Sequence, residues 1–266
     1  MVWINGKPQE SVAARDRAVQ FGDGCFTTAR ILQGKVVSLQ AHLARLKRGC
    51  ERLMIRNLDW DALAAEMQHA AATRSVGVLK AVVSRGAGGR GYSAQGCEQP
   101  TRMIFLSDYP AHYQQLQQSG ATLALSSVRL GKNPLLAGIK HLNRLEQVLI
   151  RTELEQTAAD EALVLDSDGS LVECCAANLF WRRGEQIFTP DLSQCGVNGI
   201  QRQKVMQRLH TLGMPVQEVI LPVQTLAEAE EVFITNALMP VLPVKQIDGW
   251  HYASRTIFNL LRLHDD

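Results

Sequence analysis

Five glycine-containing dipeptides, each set between short strand-like runs, limit what this chain can build. Asn5-Gly6 follows Val2-Trp3-Ile4, and Gln33-Gly34 separates Thr28-Ala29-Arg30-Ile31-Leu32 from Val36-Val37-Ser38-Leu39. Asp168-Gly169 divides Ala162-Leu163-Val164-Leu165 from Leu171-Val172-Glu173-Cys174, and Arg183-Gly184 and Asp248-Gly249 repeat the pattern. Such dipeptides supply the positive φ angles that tight hairpins need. So many hairpins argue for antiparallel sheet and against a doubly wound parallel one.

Helical periodicity fills the intervals. Residues 41–54 place Leu43, Leu46, Cys50, Leu53 and Met54 on one stripe, with His42, Arg45, Arg48 and Arg52 off it. Residues 60–72, 142–154 and 200–212 read as helices in the same way, and residues 78–84 as the most buried strand. Helices mixed with hairpins predict an α+β class. The Gln- and turn-rich stretch 107–120 predicts a boundary between a smaller N-terminal domain, 1–110, and a larger C-terminal one, 120–266, joined by a linker at 111–119. A helix capped inside one domain is the alternative reading of that stretch.

Composition excludes several classes. In 266 residues, 46% are hydrophobic and 20% charged, the balance of a soluble globular protein. Lys plus Arg number 28 against 26 Asp plus Glu, so no cationic excess predicts a nucleic-acid or acidic-membrane partner. The six cysteines include no C-x-x-C pair and the seven histidines no H-E-x-x-H, so no metal site is expected. Residues 1–7 lack the pattern of a secretory signal. The apolar stretch 232–244 is broken by Thr235, Asn236, Pro240 and Pro243 and is too short to cross a bilayer. A cytoplasmic protein is the resulting expectation.

The informative segment begins at Glu173 and continues through Asn178, Thr189-Pro190 and Val197-Asn198-Gly199-Ile200-Gln201-Arg202. Alone, Glu173 reads as a surface carboxylate and Gly199 as a loop glycine before a helix. A helix starting there would nevertheless offer free N–H groups and the positive end of its dipole, which suits a phosphate.

This spacing resembles the signature of the class IV, or fold type IV, pyridoxal-phosphate enzymes. That family includes branched-chain aminotransferases, D-amino-acid aminotransferases and aminodeoxychorismate lyases. The likeness extends along the chain: Phe21-Gly22-Asp23-Gly24-Cys25-Phe26-Thr27-Thr28-Ala29-Arg30 resembles the family's early active-site strand. His42-Leu43-Ala44-Arg45-Leu46 resembles its phosphate-arginine helix, and Gly138-Ile139-Lys140-His141-Leu142-Asn143 the segment with its cofactor-linking lysine. The resemblance implies a homodimer with a mostly antiparallel sheet in the N-terminal domain and a barrel-like C-terminal domain. It also implies pyridoxal 5'-phosphate as cofactor.

Roles follow from the resemblance, residue by residue. Lys140 would bind the cofactor covalently and then act as the mobile base. Glu173 would face the pyridine nitrogen, and Arg45 would pair with the phosphate. Asn178, the backbone amides of Ile200 and Gln201, and Asn236 with Ala237 would complete the cofactor site. Some relatives carry a hydroxyl where this chain has Ala237, so only its backbone can contribute. Thr28 would contact substrate and influence the choice of reaction. Arg85, Arg90 and Arg144 are the candidates for a dicarboxylate substrate, with Arg90 foremost in the loop Gly86-Ala87-Gly88-Gly89-Arg90-Gly91. That loop lacks the Gly-Lys-Ser/Thr ending of a nucleotide phosphate loop, which disfavours ATP. The adjacent Cys174 and Cys175 read as core packing beside Glu173.

Within the family, Gln20-Phe21-Gly22-Asp23-Gly24, Thr27-Thr28 and Lys140-His141-Leu142-Asn143-Arg144-Leu145-Glu146 are most similar to the lyase branch. The implied reaction is that of a carbon–oxygen lyase making 4-aminobenzoate and pyruvate from 4-amino-4-deoxychorismate, a step toward folate. A D-amino-acid or branched-chain aminotransferase shares the machinery and is the first rival. A non-catalytic pyridoxal-phosphate carrier is the second.

Overall fold

All five dipeptides close hairpins in the computed structural model, which describes residues 1–262. Asn5 and Gly6 adopt φ of 48° and 77°, and Gln33 and Gly34 51° and 72°, the left-handed pairs that match the twist of the strands they join. The chain forms two compact units: residues Met1–Tyr109 with Ile139–Asn143, and residues Pro110–Gly138 with the chain from Arg144 on.

The first unit contains β1 (Val2–Ile4), β2 (Lys7–Pro8), α1 (Arg17–Phe21), β3 (Gly24–Leu32), β4 (Lys35–Val36), α2 (Leu39–Arg52), α3 (Trp60–Ala71), β5 (Val76–Ser84) and β6 (Thr101–Ser107). Its six strands lie in the order β2-β1-β6-β5-β3-β4, and every pairing is antiparallel. Strand β3 alternates: Cys25, Thr27, Ala29 and Ile31 are buried, while Phe26, Thr28 and Arg30 are half-buried on the other face. The two-residue period of a strand produces this division. The buried face packs with Leu46 and Cys50 of α2 and Leu63 and Met67 of α3.

Two residues of the segment 41–54 depart from the predicted stripe. His42 is buried, because its Nδ1 shares a 2.6 Å hydrogen bond with Thr27 Oγ1. Met54 lies beyond the end of α2 at φ 56° and is 72% exposed. Hydropathy alone cannot anticipate a satisfied buried imidazole, nor the point where a helix unwinds.

The second unit contains α4 (His112–Ser119), β7 (Ala121–Leu130), α5 (Leu145–Leu154), β8 (Glu161–Asp166), β9 (Leu171–Cys174), β10 (Asn178–Arg183), β11 (Gln186–Pro190), α6 (Ile200–Thr211), β12 (Val216–Val219), β13 (Glu231–Thr235), β14 (Leu242–Ile247), β15 (Trp250–His251) and α7 (Thr256–Arg262). A 3₁₀ turn spans Val223–Glu228. Helix α5 starts three residues later than the periodicity predicts, because residues 139–143 run as part of the first unit.

The nine-stranded sheet runs β12-β11-β10-β13-β14-β7-β8-β9, with β15 on β14. Unlike the first sheet it includes parallel neighbours, β7 with β8, β11 with β12, and β14 with β7. Helices α5 and α6 lie between β7 and β8 and between β11 and β12 in sequence, and a helical crossover returns the chain in the same direction. A tight turn, with Cys174 N–H donating to Ala177 O at 2.7 Å, joins β9 at one end of this order to β10 near the other. The sheet must therefore curl on itself, as the barrel-like expectation requires. Its core stacks Phe180 on Phe233 at 5.0 Å, both 0% exposed. Burying each such side chain contributes about 1.5–3 kcal/mol.

Candidate active site

In the first unit, residues 139–143 run alongside β3. Phe26 N–H donates to Lys140 O at 2.9 Å, Leu142 N–H donates to Gly24 O at 3.0 Å, and Cys25 bridges to His141. This fixes the Lys140 backbone along one edge of β3, next to Phe26 on its half-buried face. The Lys140 amine lies 4.9 Å from the centroid of the Phe26 ring, a cation–π distance. Thr28 projects from that same face, two residues along. Arg45 is half-buried on α2, one turn after the buried His42.

A second amine meets the same ring. Lys80 Nζ is 4.7 Å from the Phe26 centroid, and Lys80 is the register partner of Thr28 across β3 and β5. Desolvation lowers its pKa below the usual lysine range. Sequence reasoning passed over Lys80. The available signal was a lone lysine inside the apolar run 76–84.

In the second unit, Glu173 ends up buried on β9, where its Oε2 accepts the Val197 N–H at 2.8 Å. Asn178 Nδ2 donates to Val197 O at 2.9 Å. The N–H and the C=O of Val197, in two successive peptide groups, are thus each held by one of the predicted residues. Gly138 flanks this loop, donating to Gly196 O at 2.9 Å and accepting from Asn198 N–H at 3.1 Å. A side chain at position 199 would collide with Asn178 Oδ1 and force that side chain to move.

Gly199 caps α6 without any side-chain hydrogen bond, leaving Ile200 and Gln201 in an uncapped first turn. Arg202 anchors that turn from below. Its Nη2 donates to Pro190 O at 2.9 Å and pairs with Glu218 at 2.7 Å, and its Nη1 reaches Asn198 Oδ1 at 3.2 Å.

Thr235 closes β13 directly opposite Asn178. Its hydroxyl is buried and has no hydrogen-bond partner among the described residues, an arrangement that buried polar groups rarely tolerate. It too escaped the sequence reading. Asn236, by contrast, uses its side chain within the turn: Oδ1 accepts from Leu238 N–H and Met239 N–H at 2.9 and 2.8 Å, and Nδ2 donates to Ala176 O at 3.2 Å. Asn236 shapes the turn that presents the backbone of Ala237.

The three candidate arginines have unlike settings. Arg85 donates to Asp23 at 2.7 and 3.0 Å and to the carbonyls of Met54 and Leu53 at 3.0 and 2.7 Å, which engages most of its donor fork. Arg144, at the start of α5, feels the charges of Glu173 and Glu146, which oppose the lowering of its pKa by burial. Arg90 is exposed at the tip of the glycine loop.

Burial also shapes Glu161 and Cys174. Glu161 accepts from Ala162 and Ala176 N–H groups, and desolvation pushes its pKa up to about 7. Burial, then the charges of Glu161 and Glu173, raise the Cys174 thiol well above its ordinary value. A thiol held protonated is inert, which agrees with the packing role expected of the cysteine pair.

An antiparallel sheet carrying a strapped lysine, and a curled sheet carrying a buried carboxylate beside an uncapped helix start, define the fold type IV architecture. The family model described as amino-transferase class IV matches residues 24–247, and the chain belongs to that family. An aminodeoxychorismate lyase from Vibrio harveyi is 40% identical over 249 residues, covering 94% of this chain and 92% of that protein. A D-alanine aminotransferase from Bacillus licheniformis is 31% identical, with coverage of 93% and 88%. The crystal structure of 4-amino-4-deoxychorismate lyase from Pseudomonas aeruginosa matches with a TM-score of 0.94 at 37% identity, over 100% of both chains.

Proposed function

We propose that this protein is a pyridoxal-phosphate-dependent lyase that converts 4-amino-4-deoxychorismate to 4-aminobenzoate and pyruvate, a step toward folate. The observation that carries the proposal is the full-length match to a lyase of the same name in both sequence and structure.

The residues fit the cofactor. An uncapped helix start, the close approach at Gly199 and a buried hydroxyl lacking a protein partner form a donor set suited to a phosphate. Arg45 would add its guanidinium to that phosphate, with the Ile200, Gln201 and Ala237 backbones. Glu173 would keep the pyridine nitrogen protonated, and Lys140 would carry the covalent link. Bound in this way, pyridoxal phosphate supplies an electron sink for charge developing at the substrate's amine-bearing carbon.

The chain's own groups then handle the protons. The Lys140 amine removes the proton from the amine-bearing carbon. The bond to the enolpyruvyl oxygen breaks at the neighbouring carbon, the ring becomes aromatic, and the released enolpyruvate takes up one proton to become pyruvate. Thr28, on the face that presents Phe26 beneath the Lys140 amine, would orient the departing group or supply that proton. Arg90 and the Lys80 amine would supply cations for a substrate carboxylate, and no amino acceptor is consumed.

The rival is transamination, favoured by the likeness to the D-alanine aminotransferase. Incubating the purified protein with aminodeoxychorismate should yield 4-aminobenzoate and pyruvate in equal amounts. Absence of product alongside rapid exchange of amino and keto acids would end the lyase reading.

A cytoplasmic homodimer is part of the proposal. Among the described residues no helix is long and apolar enough to cross a membrane. Helix α5 exposes Leu145 at 78%, Val148 at 56% and Leu149 at 58%, one apolar stripe at i, i+3 and i+4. The Leu149→Glu variant should sediment as a monomer where the parent sediments as a dimer. An unchanged dimer would remove this face from the interface.

A further inference from the structure

One cation of the first unit is buried without a part in the chemistry above. Arg17, in the first turn of α1, has a side chain only 5% exposed. Its Nε donates to Asp23 Oδ2 at 2.8 Å. Its terminal nitrogens reach three successive carbonyls of the glycine loop: Gly91 at 3.0 Å and Ser93 at 3.1 Å from Nη1, and Tyr92 at 3.4 Å from Nη2. The guanidinium also sits 4.7 Å from the Phe21 ring, which in turn lies 5.5 Å from the ring of Tyr92. A buried guanidinium is costly unless its donors are matched, and here a rigid planar fork meets four acceptors at once.

The loop has few other means of holding a shape. Gly86, Gly88, Gly89 and Gly91 all adopt positive φ, and glycine is the residue with most freedom to lose. Arg90 stands directly before the three gripped carbonyls, and Ser93 N–H folds back onto Arg90 O at 3.1 Å. Whatever fixes that curl fixes the root of the Arg90 side chain. The grip has a firm base, since Asp23 shares its carboxylate with Arg85, which is tied to the carbonyls at the end of α2.

We propose that Arg17 is a positioning residue for Arg90: by clamping the carbonyls of Gly91, Tyr92 and Ser93, it sets where the Arg90 guanidinium meets a substrate carboxylate. This rests on the lyase reading and on Arg90 as a substrate contact. Arg17 itself touches no reacting atom.

The Arg17→Lys variant keeps the charge and loses the fork. Its KM for aminodeoxychorismate should rise about tenfold with kcat within about twofold, the signature of weakened ground-state and transition-state binding together. The R17K/R90A double variant should be no worse than R90A alone, because both act through one contact. Trypsin should cut after Arg90 faster in R17K than in the parent. The Gly89→Ala variant attacks the same curl from the loop, since the added carbon would strike Ser93 O. It should reproduce the KM rise and the faster cleavage, and it decides the matter should R17K not fold. Additive effects in the double variant, a fall in kcat at constant KM, or unchanged proteolysis would overturn the proposal. Proteolysis needs no substrate, so an enzyme inactive toward aminodeoxychorismate would end the lyase reading while the cleavage rates still judged the clamp.

Discussion

Replacing Lys140 with alanine should abolish the borohydride-trapped adduct between protein and pyridoxal phosphate and lower turnover by about 10³-fold or more. Loss of a positioned proton-transfer group alone removes roughly 10²–10⁴-fold, and the covalent anchor disappears with it. The substitution is clean because the bond from Phe26 N–H ends on the Lys140 carbonyl, and the bridge beside it joins the backbones of Cys25 and His141. Neither contact uses the lysine side chain, so the strap along β3 persists. The decisive measurement is mass spectrometry of the reduced, digested protein. A pyridoxyl mass on the Lys140 peptide is expected in the parent and nowhere in the variant. Lys80 sharpens this test, because its amine addresses the same Phe26 ring and is also less basic than usual. An adduct that mapped to Lys80 would overturn the assignment of the two amines.

The second large effect belongs to Glu173. Converting it to glutamine preserves volume and retains an oxygen to accept the Val197 N–H, now at 2.8 Å. Folding should therefore survive, with the midpoint of denaturation close to that of the parent. The negative charge is what disappears. On the proposed reading the pyridine nitrogen would lose the charge that keeps it protonated, and Arg144 loses a charge that offsets its burial. We expect kcat to fall about 10²–10³-fold, the scale of removing one preorganised electrostatic contact. The trapped adduct at Lys140 should remain. A variant with parental kcat would dissociate Glu173 from the cofactor ring.

The hairpins were legible because their information is local: two residues with positive φ announce a reversal wherever they occur. The parallel neighbours β7 and β8, and β11 and β12, were not legible, because the pairing of strands across a helix is decided by packing far away in sequence. The site shows the same split. Lys140, Glu173 and Asn178 stand out through a spaced pattern, whereas Thr235 is notable only for a missing partner and Lys80 only for its neighbours. Arg17 is harder still. In the run Ala14-Arg15-Asp16-Arg17 it reads as a solvated loop charge, and only the fold reveals three carbonyls 74 to 76 residues away, a pairing no helix or strand period encodes.

The bonds at Val197, its N–H on Glu173 and its C=O on Asn178, tie the Glu173 carboxylate to the loop that leads into α6. A change that tilts one drags the other, so altering the proposed grip on a phosphate would also disturb the carboxylate proposed to face the pyridine nitrogen. New chemistry on such a frame has to be sought elsewhere. The glycine loop is the contrasting case: on the proposal above, the Arg17 fork sets its curl at Gly91, Tyr92 and Ser93 without using the bonds at Val197. On the proposed reading, a frame held firmly at the cofactor carboxylate and adjustable at a substrate loop would let one scaffold host an eliminating enzyme and a transferring one.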